Sequence, residues 1–113
     1  MSNSILTTDL SPHIALITGA TGGIGKATCL ALAALGCSIA VHYNSTADTA
    51  VSLADNLKAK GVRAEAFQAD LSSYEGAWKL HVDVVAAMGN PSVLFNNAGL
   101  TLGKRWGQVH PGY

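Results

Sequence analysis

The chain has 113 residues, with 7 Lys and Arg against 7 Asp and Glu, so its formal net charge is zero. That balance argues against nucleic acid, which needs a clustered basic surface, and against a polybasic membrane anchor. Charged residues make up 12% against a usual ~25%, and hydrophobic residues 49%, which excludes a disordered chain and fits one domain with a buried core.

Residues 1–11 contain no Lys or Arg. A secretory signal needs a basic start and a mitochondrial presequence needs arginines, so this segment is expected to be a disordered tail on a cytoplasmic protein. No apolar run reaches 18 residues, so no membrane-spanning helix is expected. Cys29 and Cys37 are too few for a disulfide framework and too far apart for a CxxC site, and are read as reduced core thiols.

After the tail, strand and helix patterns alternate. His13 to Thr18 (HIALIT) is a short apolar run between Pro12 and Gly19, a buried strand. Gly25 to Leu35 is rich in Ala and Leu and stops at Gly36, as a helix does. Ser38 to His42 (SIAVH) is a second strand. Ser45 or Thr46 can cap the next helix, which runs to about Lys60. Its Ala50, Leu53, Ala54 and Leu57 fall at i, i+3, i+4, i+7 and share one face. Arg63 to Gln68 is a third strand. Ser72 and Glu75 fit a capping box for a third helix, which ends at Gly89-Asn90-Pro91. Ser92 to Phe95 is a fourth strand. This β-α-β-α-β-α-β order predicts an α/β fold, a doubly wound parallel sheet with helices on both faces. Residues 12–99 form that half-domain, and residues 100–113 form no complete element.

Thr18 to Gly25 reads TGATGGIG, directly between the first strand and first helix. A helix N-terminus presents unpaired N–H groups and partial positive charge, and glycines let a diphosphate approach them. Gly19 makes the turn out of the strand; Gly23 and Gly25 allow backbone approach and close packing. The usual G-x-G-x-x-G fingerprint and the P-loop pattern are both unmet, while T-G-x-x-x-G-x-G fits as Thr18, Gly19, Gly23 and Gly25. The competing reading is a tight strand–helix turn that binds nothing.

Ligands of open parallel sheets lie at the C-terminal ends of the strands. The second strand ends in His42-Tyr43-Asn44-Ser45, without the acid that would select NAD by bonding its ribose hydroxyls; the first acid downstream is Asp48. Asn44, Ser45 and Thr46 can instead hydrogen-bond a 2′-phosphate, so NADP is expected over NAD. A polar turn with a helix cap uses the same residue types. The third strand ends in Ala69-Asp70-Leu71, where Asp70 can accept from an adenine amino group, or simply make a turn. The fourth ends in Asn96-Asn97-Ala98-Gly99, whose amides and small residues suit a ribose, or again a turn.

In that order and spacing, the TGATGGIG loop, Ala69-Asp70-Leu71 and Asn96-Asn97-Ala98-Gly99 resemble the short-chain dehydrogenase/reductase family from about His13 to Gly99. The HYNS segment looks most like the branch of 3-oxoacyl-[acyl-carrier-protein] reductases. The resemblance implies that Gly19, Gly23 and Gly25 hold a pyrophosphate lined by Thr21 and Ile24. It implies that Asp70 and Leu71 hold the adenine, and Asn97, Ala98 and Gly99 the nicotinamide-side ribose, with Thr18 and Asn96 bracing strands. It also implies a Rossmann-type sheet with strand order 3-2-1-4, truncated after the fourth strand, and an oxidoreductase that reduces a ketone or oxoacyl group with a nicotinamide dinucleotide, active in full-length form as a homo-oligomer.

The family's chemistry needs a Tyr in a Y-x-x-x-K pair and a Ser, because the alkoxide formed from a carbonyl must be protonated and stabilised. Tyr43 is followed four residues later by Ala47, Tyr74 by Trp78, and Tyr113 is last. No catalytic residue is therefore assigned, and the four histidines lack base partners and metal-ligand spacing. The family's dimer helices also follow the NNAG segment, so this chain is not expected to form that dimer. Three readings follow: the cofactor-binding half of a ketoreductase, inactive alone; a non-catalytic NADP(H)-binding module; or a truncated product without function. A fourth strand left as a bare edge would make the chain marginal and prone to aggregate.

Overall fold

In a computed structural model, which describes residues 9–97, the elements alternate as the sequence predicts. They are β1 (Ile14–Thr18), α1 (Gly23–Ala34), β2 (Ser38–Tyr43), α2 (Ala47–Ala59), β3 (Ala64–Gln68), α3 (Tyr74–Ala87) and β4 (Val93–Asn96). The four strands form one parallel sheet in the order β3-β2-β1-β4. Each crossover carries a helix, the connection that parallel strands require.

Strand alternation divides the core in two. Ala15 and Ile17 of β1 and Ile39 and Val41 of β2 face α1 and α2, meeting Cys29, Ala33, Leu53 and Leu57. Leu16, Ala40 and Phe67 face the other way, toward Ala77, Leu80 and Val84 of α3. A strand buried on both faces shows no apolar–polar alternation, which is why HIALIT and SIAVH read as continuous apolar runs. Both cysteines are free and buried in the first core layer, and burial pushes the Cys29 thiol up to about 12.

Four local readings need correction. Helix α1 begins at Gly23, two residues earlier than the Ala/Leu composition suggests, so part of the glycine motif is itself the first helical turn. The cap of α3 is Ser73, whose hydroxyl accepts from the Gly76 N–H at 3.1 Å. Ser72 is drawn away because its own N–H and hydroxyl both donate to Asp70 Oδ1, at 2.9 and 2.7 Å, in an Asx turn. Thr46 stands at the N-cap of α2 but makes no side-chain cap bond, since its hydroxyl donates to Thr21 Oγ1 instead. Leu10, which the sequence reading places in the tail, donates its N–H to the Leu35 carbonyl at 2.7 Å and packs against the core. No helix among the described residues is long and apolar enough to cross a membrane.

Candidate functional site

All strands being parallel, their C-terminal ends lie along one edge of the sheet, and the loop from Gly19 to Gly22 runs there between β1 and α1. Gly19 has φ +61°, the left-handed region that favours glycine, and so makes the turn out of β1. Gly25 is buried in the first turn of α1, where an added Cβ would lie 2.5 Å from the Gly19 carbonyl oxygen and 2.7 Å from Ala20 Cα. Helix and loop are thus in backbone contact through Gly25. Gly23 is different: a Cβ there would meet nothing within 4 Å, so it faces open space at the mouth of the helix.

The start of α1 carries no local compensation. Its N-cap is Gly22, which has no side chain to offer, and its first turn contains no acid. Helix α2 has Asp48 in its first turn and α3 has both Ser73 and Glu75. The first-turn N–H groups and the positive end of the α1 dipole are therefore left for an anion from outside. Ile24 beside them is 67% exposed, a large apolar side chain held in solvent at the same opening.

Side chains bind the strand ends to this loop. Thr18, fully buried at the end of β1, donates to Asn96 Oδ1 at 2.9 Å and accepts from the Asn97 N–H at 2.8 Å. Asn97 Nδ2 reaches the Gly19 carbonyl at 3.4 Å. The Thr46–Thr21 hydroxyl bond, 2.8 Å, ties the loop to the start of α2. Asn44 and Ser45 are exposed beyond β2, with Asn44 accepting from Gln68 Nε2 at its carbonyl and its side-chain oxygen. Asp70 is exposed after β3, and its two bonds from Ser72 hold its carboxyl below the usual carboxylate range. Leu71 buries its side chain in the α3 core layer. Thr21 and the three motif glycines are gathered with Asn97 about the β1–α1 turn. Asn44, Ser45, Asp70 and Leu71 follow β2 and β3 along the same sheet edge. Ala98 and Gly99 lie outside the described residues.

Two residues escaped the sequence reading. His42 is not isolated: it is 3% exposed at the end of β2, and its ring joins the glycine loop to the end of β3. Nδ1 accepts from the Gly19 N–H at 3.0 Å, so the ring proton sits on Nε2 and donates to the Ala69 carbonyl at 2.8 Å. The available signal was a polar residue closing a strand buried on both faces, which must find partners. Gly76 is the second. A Cβ there would overlap the Asp70 carbonyl, so only glycine lets α3 start this close to the β3 turn. Its signal, a glycine in the first turn of a helix, resembles any weak helix position. Among the described residues no group of His, Cys, Asp and Glu is placed to hold a metal ion.

This sheet, with a glycine turn and an uncapped helix start at its C-terminal edge, is the dinucleotide-binding class of α/β protein. A family model for short chain dehydrogenases matches residues 13–110. The chain belongs to the short-chain dehydrogenase/reductase family. It is 40% identical over 87 residues to the 3-oxoacyl-[acyl-carrier-protein] reductase FabG of Staphylococcus epidermidis, an alignment covering 77% of this chain and 36% of that protein. A dehydrogenase/reductase from Sinorhizobium meliloti superposes with a TM-score of 0.81 at 31% identity, over 88% of this chain and 40% of the other. A Burkholderia cenocepacia protein solved with bound NADP gives 0.74 at 31% identity, over 83% and 37%. The chain thus spans little more than a third of the length of the relatives it matches.

Proposed function

We propose that this chain is the cofactor-binding part of an NADP(H)-dependent ketoreductase that converts a ketone or 3-oxoacyl group to an alcohol. The observation that carries the reading is the start of α1: uncapped, free of acid, open at Gly23 and locked against the loop at Gly25. That geometry fits a diphosphate, with Gly19, Gly23 and Gly25 around it and Thr21 and Ile24 beside it. Asp70 and Leu71 take the adenine, and Asn97, Ala98 and Gly99 the far ribose. Asn44 and Ser45 take the 2′-phosphate, favoured by the absence of an acid between β2 and Asp48. A bound nicotinamide supplies the reducing equivalent. This chain's residues bind and orient it, and no Tyr-x-x-x-Lys in the 113 residues supplies the proton. Residues 12–99 act as the binding half-domain in the cytoplasm, and the active form is a homo-oligomer of a longer chain. The 3-oxoacyl class rests on the Staphylococcus relative.

Fluorescence titration of the 113-residue chain with NADPH and NADH tests the binding, and NADPH oxidation in the presence of a 3-oxoacyl thioester tests the chemistry. Tighter binding of NADPH without turnover is expected. Tighter NADH binding overturns the cofactor assignment, and turnover overturns the assignment of no catalytic residue. The missing Tyr-x-x-x-Lys also suits a second reading, a binding module that serves without catalysis. Its mark is submicromolar NADPH binding by a natural form of the protein with a mass near 11.6 kDa.

A further inference from the structure

His42 occupies a place where its protonation state and the shape of the glycine loop are one variable. Its ring is buried between the turn after β1 and the end of β3, and each nitrogen is committed to a backbone group. The Gly19 N–H needs an acceptor, and Nδ1 supplies it only while unprotonated. A second proton on the ring sets one N–H against another at 3.0 Å. The same turn is held from the β2 backbone by the Ala20 N–H, which donates to the His42 carbonyl at 3.1 Å. One residue thus governs the two successive amides that leave β1 for the loop.

We infer that His42 is a positioning residue that fixes the glycine loop in its neutral Nε2–H form and releases it on protonation, so that dinucleotide affinity falls in mild acid. The ring's surroundings favour the neutral form. On its side of the sheet lie Leu16, Ala40 and Phe67, with Ala77 and Leu80 of α3 above them. Titratable groups on the surrounding elements are at the surface: Lys26 on α1, Glu65 on β3, Asp70 after it, and Glu75 and Lys79 on α3. Farther along α3 stand half-buried His81 and Asp83, the latter 3.0 Å from Lys79 Nζ. Asp70 follows Ala69 directly, but its carboxylate is engaged by Ser72. Burial accordingly lowers the His42 pKa from its usual value, only partly offset by the Ala69 bond.

Two measurements on the 113-residue chain test this, and only the second rests on the dinucleotide reading. In the first, the His42 ring nitrogens and the Gly19 amide are followed by NMR between pH 8 and pH 4.5. The expected result is an Nε2–H tautomer, a midpoint below the ordinary ~6.5, and a Gly19 amide that moves or broadens with that midpoint. A ring titrating at the ordinary value, with no Gly19 response, overturns the inference. In the second, NADPH and NADH affinities are measured across the same range for wild type, His42→Asn and His42→Leu. Asn keeps an acceptor near the Nδ1 position without titrating, and Leu keeps neither bond. Below the His42 midpoint the ratio of wild-type to Asn affinity should fall about tenfold per pH unit, the slope of one linked proton. The Leu variant should lose about tenfold or more at every pH, the order of an unpaired buried amide. The 2′-phosphate of NADPH also titrates near pH 6, but it cancels in the ratio and NADH lacks it. Parallel profiles for wild type and Asn overturn the inference. No binding at any pH, with Gly19 still following His42, sinks the dinucleotide reading and leaves the clamp standing.

Discussion

Gly23 and Gly25 stand two residues apart in the first turn of α1 and serve opposite ends. Gly25 has no room: its Cβ would press on the Gly19 carbonyl and Ala20 backbone, neither of which can rotate away. Gly25→Ala should cost about 2 kcal/mol, as overpacking does, and should weaken NADPH binding by pushing α1 off the loop. Gly23→Ala meets open space, so thermal stability should hold while NADPH affinity falls, because the methyl enters the opening. Paired melting and titration of the two variants check this, and equal losses of stability would break the distinction. The sequence marks both as glycines of one motif, and only packing separates them. His42 shows the same limit. Its residue type and strand were legible, but its partners come from the β1–α1 turn and the end of β3, which the chain brings to it only on folding. Its sign in stability is fixed. A histidine held neutral by folding contributes fully above its unfolded value near 6.5, and that contribution is lost as pH falls from there toward the lowered folded value. The melting temperature of wild type should drop through that interval, and that of His42→Asn should drop less.

At the level of elements, order and type were readable because each carries a local signal. Apolar runs of five or six residues mark β1 and β2, and the 3.6-residue period of Ala50, Leu53, Ala54 and Leu57 marks α2, all four of which are buried. Ends were less readable where two side chains compete for one role. Ser72 and Ser73 are adjacent and chemically equal, and the choice between them is made by Asp70, which captures Ser72. Ser73→Ala should therefore cost about 1 kcal/mol of stability, measured by urea denaturation, while Ser72→Ala should cost less. The reverse order would mean that the capping box read from Ser72 and Glu75 governs after all. The start of α3 has a stricter requirement at Gly76, whose substitution by Ala drives a methyl into the Asp70 carbonyl. Gly76→Ala should destabilise more than Gly25→Ala or Ser73→Ala, by roughly 3 kcal/mol, because displacing α3 pulls Ala77, Leu80 and Val84 away from one core layer. The far end of α3 meets Arg63, whose guanidinium reaches the Ala87 and Met88 carbonyls at 3.3 and 3.4 Å, a cation at the negative end of a helix.

Across the whole molecule, β4 is less covered than the strands inside the sheet, and on both faces. Strands β1 and β2 are buried on both sides, whereas Leu94 and Phe95 of β4 remain 39% and 38% exposed. On one face an apolar groove lies between β4 and α1, lined by Ile24, Ala27, Thr28, Ala31, Val93 and Phe95. Beyond β4, no further strand occurs among the described residues, so its outer backbone groups form an edge. An edge strand with apolar side chains and no charge or proline within it is a template for another chain. The 113-residue chain should therefore self-associate. Sedimentation velocity should give a mass that rises with concentration from 11.6 kDa. Phe95→Lys should shift the distribution toward monomer, because it puts a charge on the edge and in the groove at once. A variant outside this region, Val51→Lys on the exposed face of α2, should not. The same mass for wild type at every concentration would show that the β4 face is covered in solution, and that the edge does not govern the behaviour of the chain.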